Sequence, residues 1–116
     1  MEFHDPKPIY LQIAEFIQES ILDGQWMDKI PAIRELAVSL KVNPNTVTRT
    51  YAYLEEQGIV SIQRGVGYFI TADAKTRIVA LRQKEFIQTT LPALTKTMDM
   101  LGLSFDDLKQ YAYPSL

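Results

Sequence analysis

From Pro8 to about Leu22, apolar residues return every three or four positions, at Ile9, Ile13, Phe16 or Ile17, and Ile21. Gln12, Glu15, Glu19 and Asp23 supply the wet side, so the spacing predicts an amphipathic helix that Gly24 ends. Gln25 to Pro31 reads as a loop carrying one large side chain, Trp26, with Lys29-Ile30-Pro31 as a minimal edge strand, because Pro31 cannot sit in a central one. Ala32 to Leu40 repeats the helical pattern with Ile33, Leu36, Ala37 and Leu40 on one face. Lys41-Val42-Asn43 is a tight connection with Val42 beneath it. A third helix follows, with Val47, Tyr51 and Leu54 turned inward and Asn45, Thr46, Thr48, Arg49 and Ala52 turned out. Asn43 is a good N-cap, since its side-chain oxygen can accept from the open N–H groups of the first turn. Pro44 fits the first helical position, where a missing N–H costs nothing, and Gly58 supplies the left-handed stop.

Beyond Gly58 the period changes. Ile59 to Gln63 and Tyr68 to Ile70 are β-rich, joined by a four-residue connection, Arg64-Gly65-Val66-Gly67. From residue 73 the pattern is helical again, with Asp73 able to cap. Ile87, Leu91, Leu94, Met98 and Leu101 form a seam stepping by four, three, four and three. Pro92 lies inside that seam and lacks the N–H a helix needs, which predicts a kink or break near residues 88–92. Gly102 stops the helix, and Ser104-Phe105-Asp106-Asp107 restarts one as a capping box with Asp in place of the usual Glu. The last helix, with Phe105, Leu108 and Tyr111 or Ala112 on one face, is too short to stand alone.

Two helices joined by a three-residue turn, the second opening with short polar side chains, form the helix-turn-helix pattern. An ordinary three-helix core would show the same spacing. The hairpin with a basic, glycine-rich tip favours a recognition helix followed by a wing, because a wing needs a narrow turn that can approach a sugar-phosphate backbone.

Composition narrows the classes. The 116 residues are 47 % hydrophobic and 22 % charged, which suits one compact domain with a small appendage and argues against disorder. There is no cysteine, so disulfides and thiolate chemistry are excluded. No run of about 18 apolar residues offers a membrane span, and the N-terminus lacks a signal-peptide pattern, so a cytoplasmic location is expected. The net charge is −2. Residues 1–72 hold six Lys/Arg (Lys7, Lys29, Arg34, Lys41, Arg49, Arg64) against nine Asp/Glu, and residues 73–116 hold six against five. Bulk attraction to DNA is therefore weak, and binding must rest on a local basic face.

Three other features are blander. Trp26 fits a loop anchor closing one end of the first helix better than a ligand-stacking platform. His4 is the only histidine and has no partner for a metal site. Glu15/Glu19 and Glu55/Glu56 lie on exposed helix faces without a nucleophile or glycine cradle, so solvation explains them and no enzymatic reading has support. Nothing calls for a cofactor. The seam can pack within the chain, but a two-turn apolar stripe on so small a domain favours a partner, hence dimerisation through Ile87, Leu91, Leu94, Met98 and Leu101.

Together, Pro8-Ile9-Tyr10-Leu11-Gln12-Ile13, Lys29-Ile30-Pro31-Ala32-Ile33-Arg34-Glu35-Leu36-Ala37, Val42-Asn43-Pro44-Asn45-Thr46-Val47, Leu54-Glu55-Glu56-Gln57-Gly58-Ile59 and Arg64-Gly65-Val66-Gly67-Tyr68-Phe69 resemble the GntR-family winged helix-turn-helix over residues 8–71. The tail ending in Leu101-Gly102-Leu103-Ser104 resembles that family's YtrA-type subfamily. The resemblance implies a mainly α fold with a small β-hairpin, a winged helix-turn-helix over residues 1–72 and a helical dimerisation tail over 73–116. It implies a bacterial regulator acting as a homodimer on a pseudo-palindromic operator. By resemblance, Arg34 contacts a phosphate, Asn43, Pro44, Asn45 and Thr46 meet phosphates and base edges, and Gly65 and Gly67 with Arg64 reach toward the minor groove.

Three departures matter. The family's Ser before the second helix is Ala32, which loses a cap at about 1 kcal/mol. The basic residue often found after Asn-Thr-Val is Thr48, with Arg49 next to it, about 100° further round the helix. The loop from Gly24 to Pro31 is shorter than the usual form and lacks its Pro-Gly.

At these positions Arg49 can pair bidentately with guanine O6 and N7, and Asn45 with adenine N6 and N7, each discriminating by about 1–3 kcal/mol. Thr46, Thr48 and Lys41 suit phosphate clamps. A solvated helix face is the alternative for Arg49. The expected function is sequence-specific binding of double-stranded DNA by a homodimer that represses transcription. The alternative is a winged-helix protein-interaction module that has lost DNA binding, favoured by the acidic balance of residues 1–72 and by Ala32 and Thr48. The tail is too short for the family's larger effector domains, and no residue names a small-molecule effector.

Overall fold

The computed structural model describes residues 7–113. The first three helices are α1 (Ile9–Leu22), α2 (Ile33–Leu40) and α3 (Pro44–Glu56). α3 is their common neighbour, packing on both α1 and α2. Its inward stripe of Val47, Tyr51 and Leu54 is fully buried, as the spacing predicts, and Thr50 joins it. Thr50 is tolerated inside because its hydroxyl donates to the Tyr10 carbonyl at 2.8 Å, tying α3 to the first turn of α1.

α1 buries Ile13, Ala14, Ile17 and Ile21. Of the alternatives on that stripe it is Ile17, not Phe16, that points inward. Ile9 departs from the expected face and is 59 % exposed, because the first turn of α1 lies at the mouth of a shallow cleft and not over the core. Glu15, expected to be solvated, is half-buried and bonded to the Lys7 ammonium at 2.8 Å. Trp26 anchors the loop after α1 by meeting Phe16 edge to face, 5.9 Å between ring centres.

Helix ends follow one rule. After Gly24, Gly58 and Gly102, all with positive φ, the next N–H reaches back to the carbonyl five residues earlier, closing the helix in a Schellman motif. α2 ends the same way through Val42 N–H to Ala37, but its left-handed residue is Lys41, at φ 57°. A side chain with a Cβ costs about 1–2 kcal/mol there. Val42 under this turn is half-buried.

The wing consists of β1 (Val60–Gln63) and β2 (Gly67–Ile70), antiparallel, in a register pairing Val60 with Ile70 and Gln63 with Gly67. The connection is therefore three residues, Arg64-Gly65-Val66, not four, because Gly67 is a paired strand residue. Val66 N–H closes the turn on the Gln63 carbonyl at 2.9 Å, with Gly65 at φ 76° supplying the positive angle. The minimal edge strand before Pro31 is present as a single bridge from Lys29 to Phe69, flanked by Ile30 N–H to the Tyr68 carbonyl and Ile70 N–H to that of Asp28.

The chain forms two compact units, Met1–Val79 and Ala80–Leu116. The division falls inside α4 (Ala74–Glu85), whose residues up to Val79 belong to the first unit, whereas the sequence places its boundary after residue 72. Ala74 and Ile78 are buried, the Thr71 hydroxyl donates to the Gly58 carbonyl at 2.7 Å, and the Arg77 side chain lies where a Cβ on Gly58 would be. One oxygen of the Asp73 carboxylate accepts from Arg77 Nε at 2.8 Å.

The second unit continues α4 through a π-helical turn, Phe86–Thr90, into α5 (Leu91–Leu101). Helical angles persist at Glu85, Thr90 and Leu91, so the expected disturbance before Pro92 is a widening and not a break. Pro92 offers no N–H to the Gln88 carbonyl and its ring would crowd that oxygen; a wider turn relieves both. α6 (Phe105–Ala112) starts at the capping box, with Ser104 N–H to Asp107 at 2.8 Å and Asp107 N–H to the Ser104 hydroxyl at 3.2 Å. Along the seam only Met98 is buried; Leu91 is half-buried, and Ile87, Leu94 and Leu101 are 60 %, 38 % and 66 % exposed.

Candidate nucleic-acid interface

The start of α3 is built by its own residues. The Asn43 side-chain oxygen accepts from Asn45 N–H at 2.8 Å, and Pro44 occupies the first turn. That bond uses the oxygen of Asn43 and leaves its NH2 group free to donate outward. Asn45 and Arg49, one helical turn apart, are exposed, and Thr46 between them is half-buried. All three line a shallow cleft of about 320 Å³ against Pro8, Ile9 and Tyr10 of α1.

Arg49 is not simply a solvated side chain. Its guanidinium carbon sits 4.0 Å from the centre of the Tyr10 ring, a separation reachable only over the face, since an in-plane approach would collide with the ring's edge. Tyr53, one turn further along α3, meets Tyr10 edge to face at 6.3 Å. Thr48 is exposed, but its hydroxyl donates to the Pro44 carbonyl at 3.0 Å. To clamp a phosphate it must first give up that bond, which makes it a weaker clamp than its position suggests.

α3 is locked to the wing by Tyr51. Its hydroxyl donates to the Pro31 carbonyl at 2.6 Å, and its ring meets Tyr68 of β2 edge to face at 4.8 Å. Burial, then the neighbouring Tyr68 and Glu35, push the Tyr51 phenol well above the ordinary tyrosine range, so it is a neutral donor at all physiological pH.

At the wing, Gly67 at φ 142° has the Lys29 side chain packed over it, and a Cβ there would stand 2.5 Å from Lys29 Cε. The Lys29 ammonium lies 5.7 Å from the Phe69 ring centre. Gly67, Val66 and Lys29 share a cleft of about 390 Å³ with Ala32 and Glu35 at the start of α2, which brings the wing beside that helix end. No side chain caps α2 at Ala32, as the loss of the family's Ser implies, and Glu35 places a negative charge in this cleft.

Arg34 on α2, Lys41 at the turn and Arg64 at the wing tip are exposed, their side chains without a partner among the described residues. Such unpaired cations lose no internal bond on meeting phosphates. Among the described residues no group of carboxylates or histidines could hold a metal, and no helix is long and apolar enough to cross a membrane. His4 lies outside the described residues.

Three helices with a capped, outward-facing third helix and a two-stranded hairpin beside it make a winged helix-turn-helix. The model of bacterial regulatory proteins of the gntR family matches residues 9–70. The HTH-type transcriptional regulator YhcF of Bacillus subtilis is 39 % identical over 112 residues, 92 % of this chain and 88 % of that one. The transcriptional repressor YtrA of the same species is 44 % identical over 65 % of this chain and 62 % of its own. A GntR family regulator from Listeria monocytogenes superposes with a TM-score of 0.78 at 37 % identity, covering 98 % of this chain and all of the other. The DNA-binding domain of AraR in complex with its operator ORX1 superposes with a TM-score of 0.54 at 28 % identity, over 60 % of this chain and 93 % of that one. The chain belongs to the gntR family of bacterial regulatory proteins: it is a transcriptional regulator with a winged-helix DNA-binding domain.

Two residues at this surface escaped the sequence reading. Tyr10 enters there only within the Pro8–Ile13 stretch of the family resemblance, and its pairing with Arg49 across 39 residues leaves no periodic trace. Lys29 is placed by the sequence on the minimal edge strand and in the charge balance, without its seat on the wing; the glycine two positions from an aromatic in β2 is the available signal for that seat.

Proposed function

We propose that the protein represses transcription from the cytoplasm as a homodimer, each copy laying the first two turns of α3 in a major groove of a pseudo-palindromic operator. The reading is carried by one observation: Asn45 and Arg49 stand exposed, one turn apart, on the capped end of a helix whose inner face is fully buried. Arg49 pairs with guanine and Asn45 with adenine, while Arg34, Lys41, Arg64, Asn43 and Thr46 hold phosphates. Gly65 and Gly67 keep the wing narrow enough to approach the minor groove. Thr48 contributes less, because of its bond to Pro44. The exposed apolar residues Ile87, Leu94 and Leu101 support pairing of two tails, which sets half-sites about one helical turn apart.

The repressor named YtrA gives the direction of regulation by likeness. Selection of binding sites from a random duplex pool should return an inverted repeat. With Arg34, Lys41 and Arg64 on phosphates in each copy, two copies neutralise about six phosphates, and log affinity should fall with log salt at a slope of about −5. Recovery of no consensus, with equal affinity for scrambled duplexes at moderate salt, would instead favour the protein-interaction module.

A further inference from the structure

We propose that Tyr10, on α1 and outside the recognition helix, is a positioning residue for base reading: its ring face holds the Arg49 guanidinium in the orientation that meets a guanine edge. The proposal rests on Arg49 being a base reader.

An arginine side chain is long and rotamer-rich, and ordering it on binding costs affinity. Here the ordering is done in the free protein. The guanidinium carbon is 4.0 Å from the Tyr10 ring centre. A guanidinium stacked through its flat face keeps every N–H in its own plane, pointing away from the ring. A contact made through that flat face consumes no donor and leaves the fork needed for O6 and N7 available. Tyr10 is itself held from three directions by α3. Arg49 lies over its face, Tyr53 meets it edge to face at 6.3 Å, and the Thr50 hydroxyl bonds its carbonyl at 2.8 Å. These are consecutive or one-turn neighbours on α3, so the platform moves with the helix it serves. Asn45 and Thr46 line the same cleft, which places the platform beside the other polar residues of the helix start.

The stack also explains how Arg49 can serve beside Thr48, one position from where the family's basic residue often stands. A residue about 100° round the helix aims elsewhere unless something outside the helix redirects it. Tyr10 is that second support.

The test uses the full chain, the duplex recovered by selection, and a scrambled duplex of equal length. Tyr10→Phe keeps the ring face and should retain the operator-to-scrambled affinity ratio within about twofold. Tyr10→Leu keeps apolar bulk without the face and should lower that ratio about two- to fivefold, with the salt slope unchanged. Arg49→Ala should lower it more, and Tyr10→Leu added to Arg49→Ala should lower it no further. A Tyr10→Leu ratio equal to wild type, beside a reduced Arg49→Ala ratio, overturns the positioning role and leaves Arg49 as a reader. An unchanged Arg49→Ala ratio overturns the base-reading assignment and this proposal with it. Should Tyr10→Leu fail to fold, the wild-type protein decides by NMR. Arg49 side-chain protons shifted upfield by the ring support the stack, and unshifted protons overturn it.

Discussion

The same apolar spacing of three and four residues runs through both units, yet it has different fates. In the winged-helix unit Ile17, Val47, Tyr51, Leu54, Ile59 and Ile78 are fully buried by one another's elements. In the tail unit Met98 alone, among the described residues, is buried, while Phe86, Ile87, Leu101, Phe105 and Tyr111 remain exposed. Periodicity tells which side of a helix is apolar. It does not tell what covers it. One unit completes its core from its own chain, and the other keeps an exposed apolar surface, the one to which the proposed pairing is assigned.

Substitutions on the two sides should behave differently. Leu54→Ala removes a fully buried side chain and should cost about 3 kcal/mol in urea denaturation, by the same amount at every protein concentration. A loss under about 1 kcal/mol would mean the core of the first unit is looser than its burial implies. Leu94→Glu, in the tail, should leave that denaturation midpoint in place. It should halve the mass seen by sedimentation equilibrium and weaken operator binding about 100-fold, since two linked half-sites become one. Unchanged mass and affinity would overturn the pairing of tails proposed above.

Tyr51 sharpens the first half of the comparison. Tyr51→Phe should cost about 1 kcal/mol, leaving the Pro31 carbonyl without its donor. It should also change the alkaline limb. Burial raises the Tyr51 phenol above its ordinary range, so the folded protein keeps this proton while the unfolded chain releases it near pH 10. The associated stability is complete below about pH 10 and is lost as pH climbs beyond it; the phenylalanine variant should lack that decline in a pH series of thermal midpoints. Lys41→Gly goes the other way. It relieves the left-handed Lys41 but loosens the unfolded chain, for a net gain of about 0.5 kcal/mol in thermal denaturation.

The smallest effect belongs to acid. Asp107 is held below the usual carboxylate range first by the Ser104 backbone N–H, and Asp73 first by its bond from Arg77. Both contributions are present above the ordinary carboxylate pKa and fade as pH falls through the lowered one. The Ser104 amide resonance should track that loss while the α3 amides stay put.

Legibility followed the range of the cause. The Asn43–Pro44 start of α3, the stops at Gly24, Gly58 and Gly102, and the Ser104–Asp107 box all depend on residues within a turn of one another, and their sequence signals sufficed. Pro92 announced a disturbance but not its form, because a proline forbids one bond without choosing how the helix adapts. Gly67 reads as turn chemistry until the strand register assigns it to β2. Lys41 carries no preference for the angle it adopts; the packing of α2 against α3 imposes it. At the interface, positions on α3 were readable from helical phase. The Arg49–Tyr10 stack and the Thr48–Pro44 bond were not, since each turns on which of several rotamers wins.

Trp26 carries a practical consequence. It is the chain's only tryptophan, and it sits on Phe16 within the first unit. Light absorbed selectively by indole therefore interrogates the winged-helix unit, whereas far-ultraviolet dichroism weighs the helices of both. The offset between those two signals during unfolding is a direct optical measure of how independently the halves of this molecule come apart.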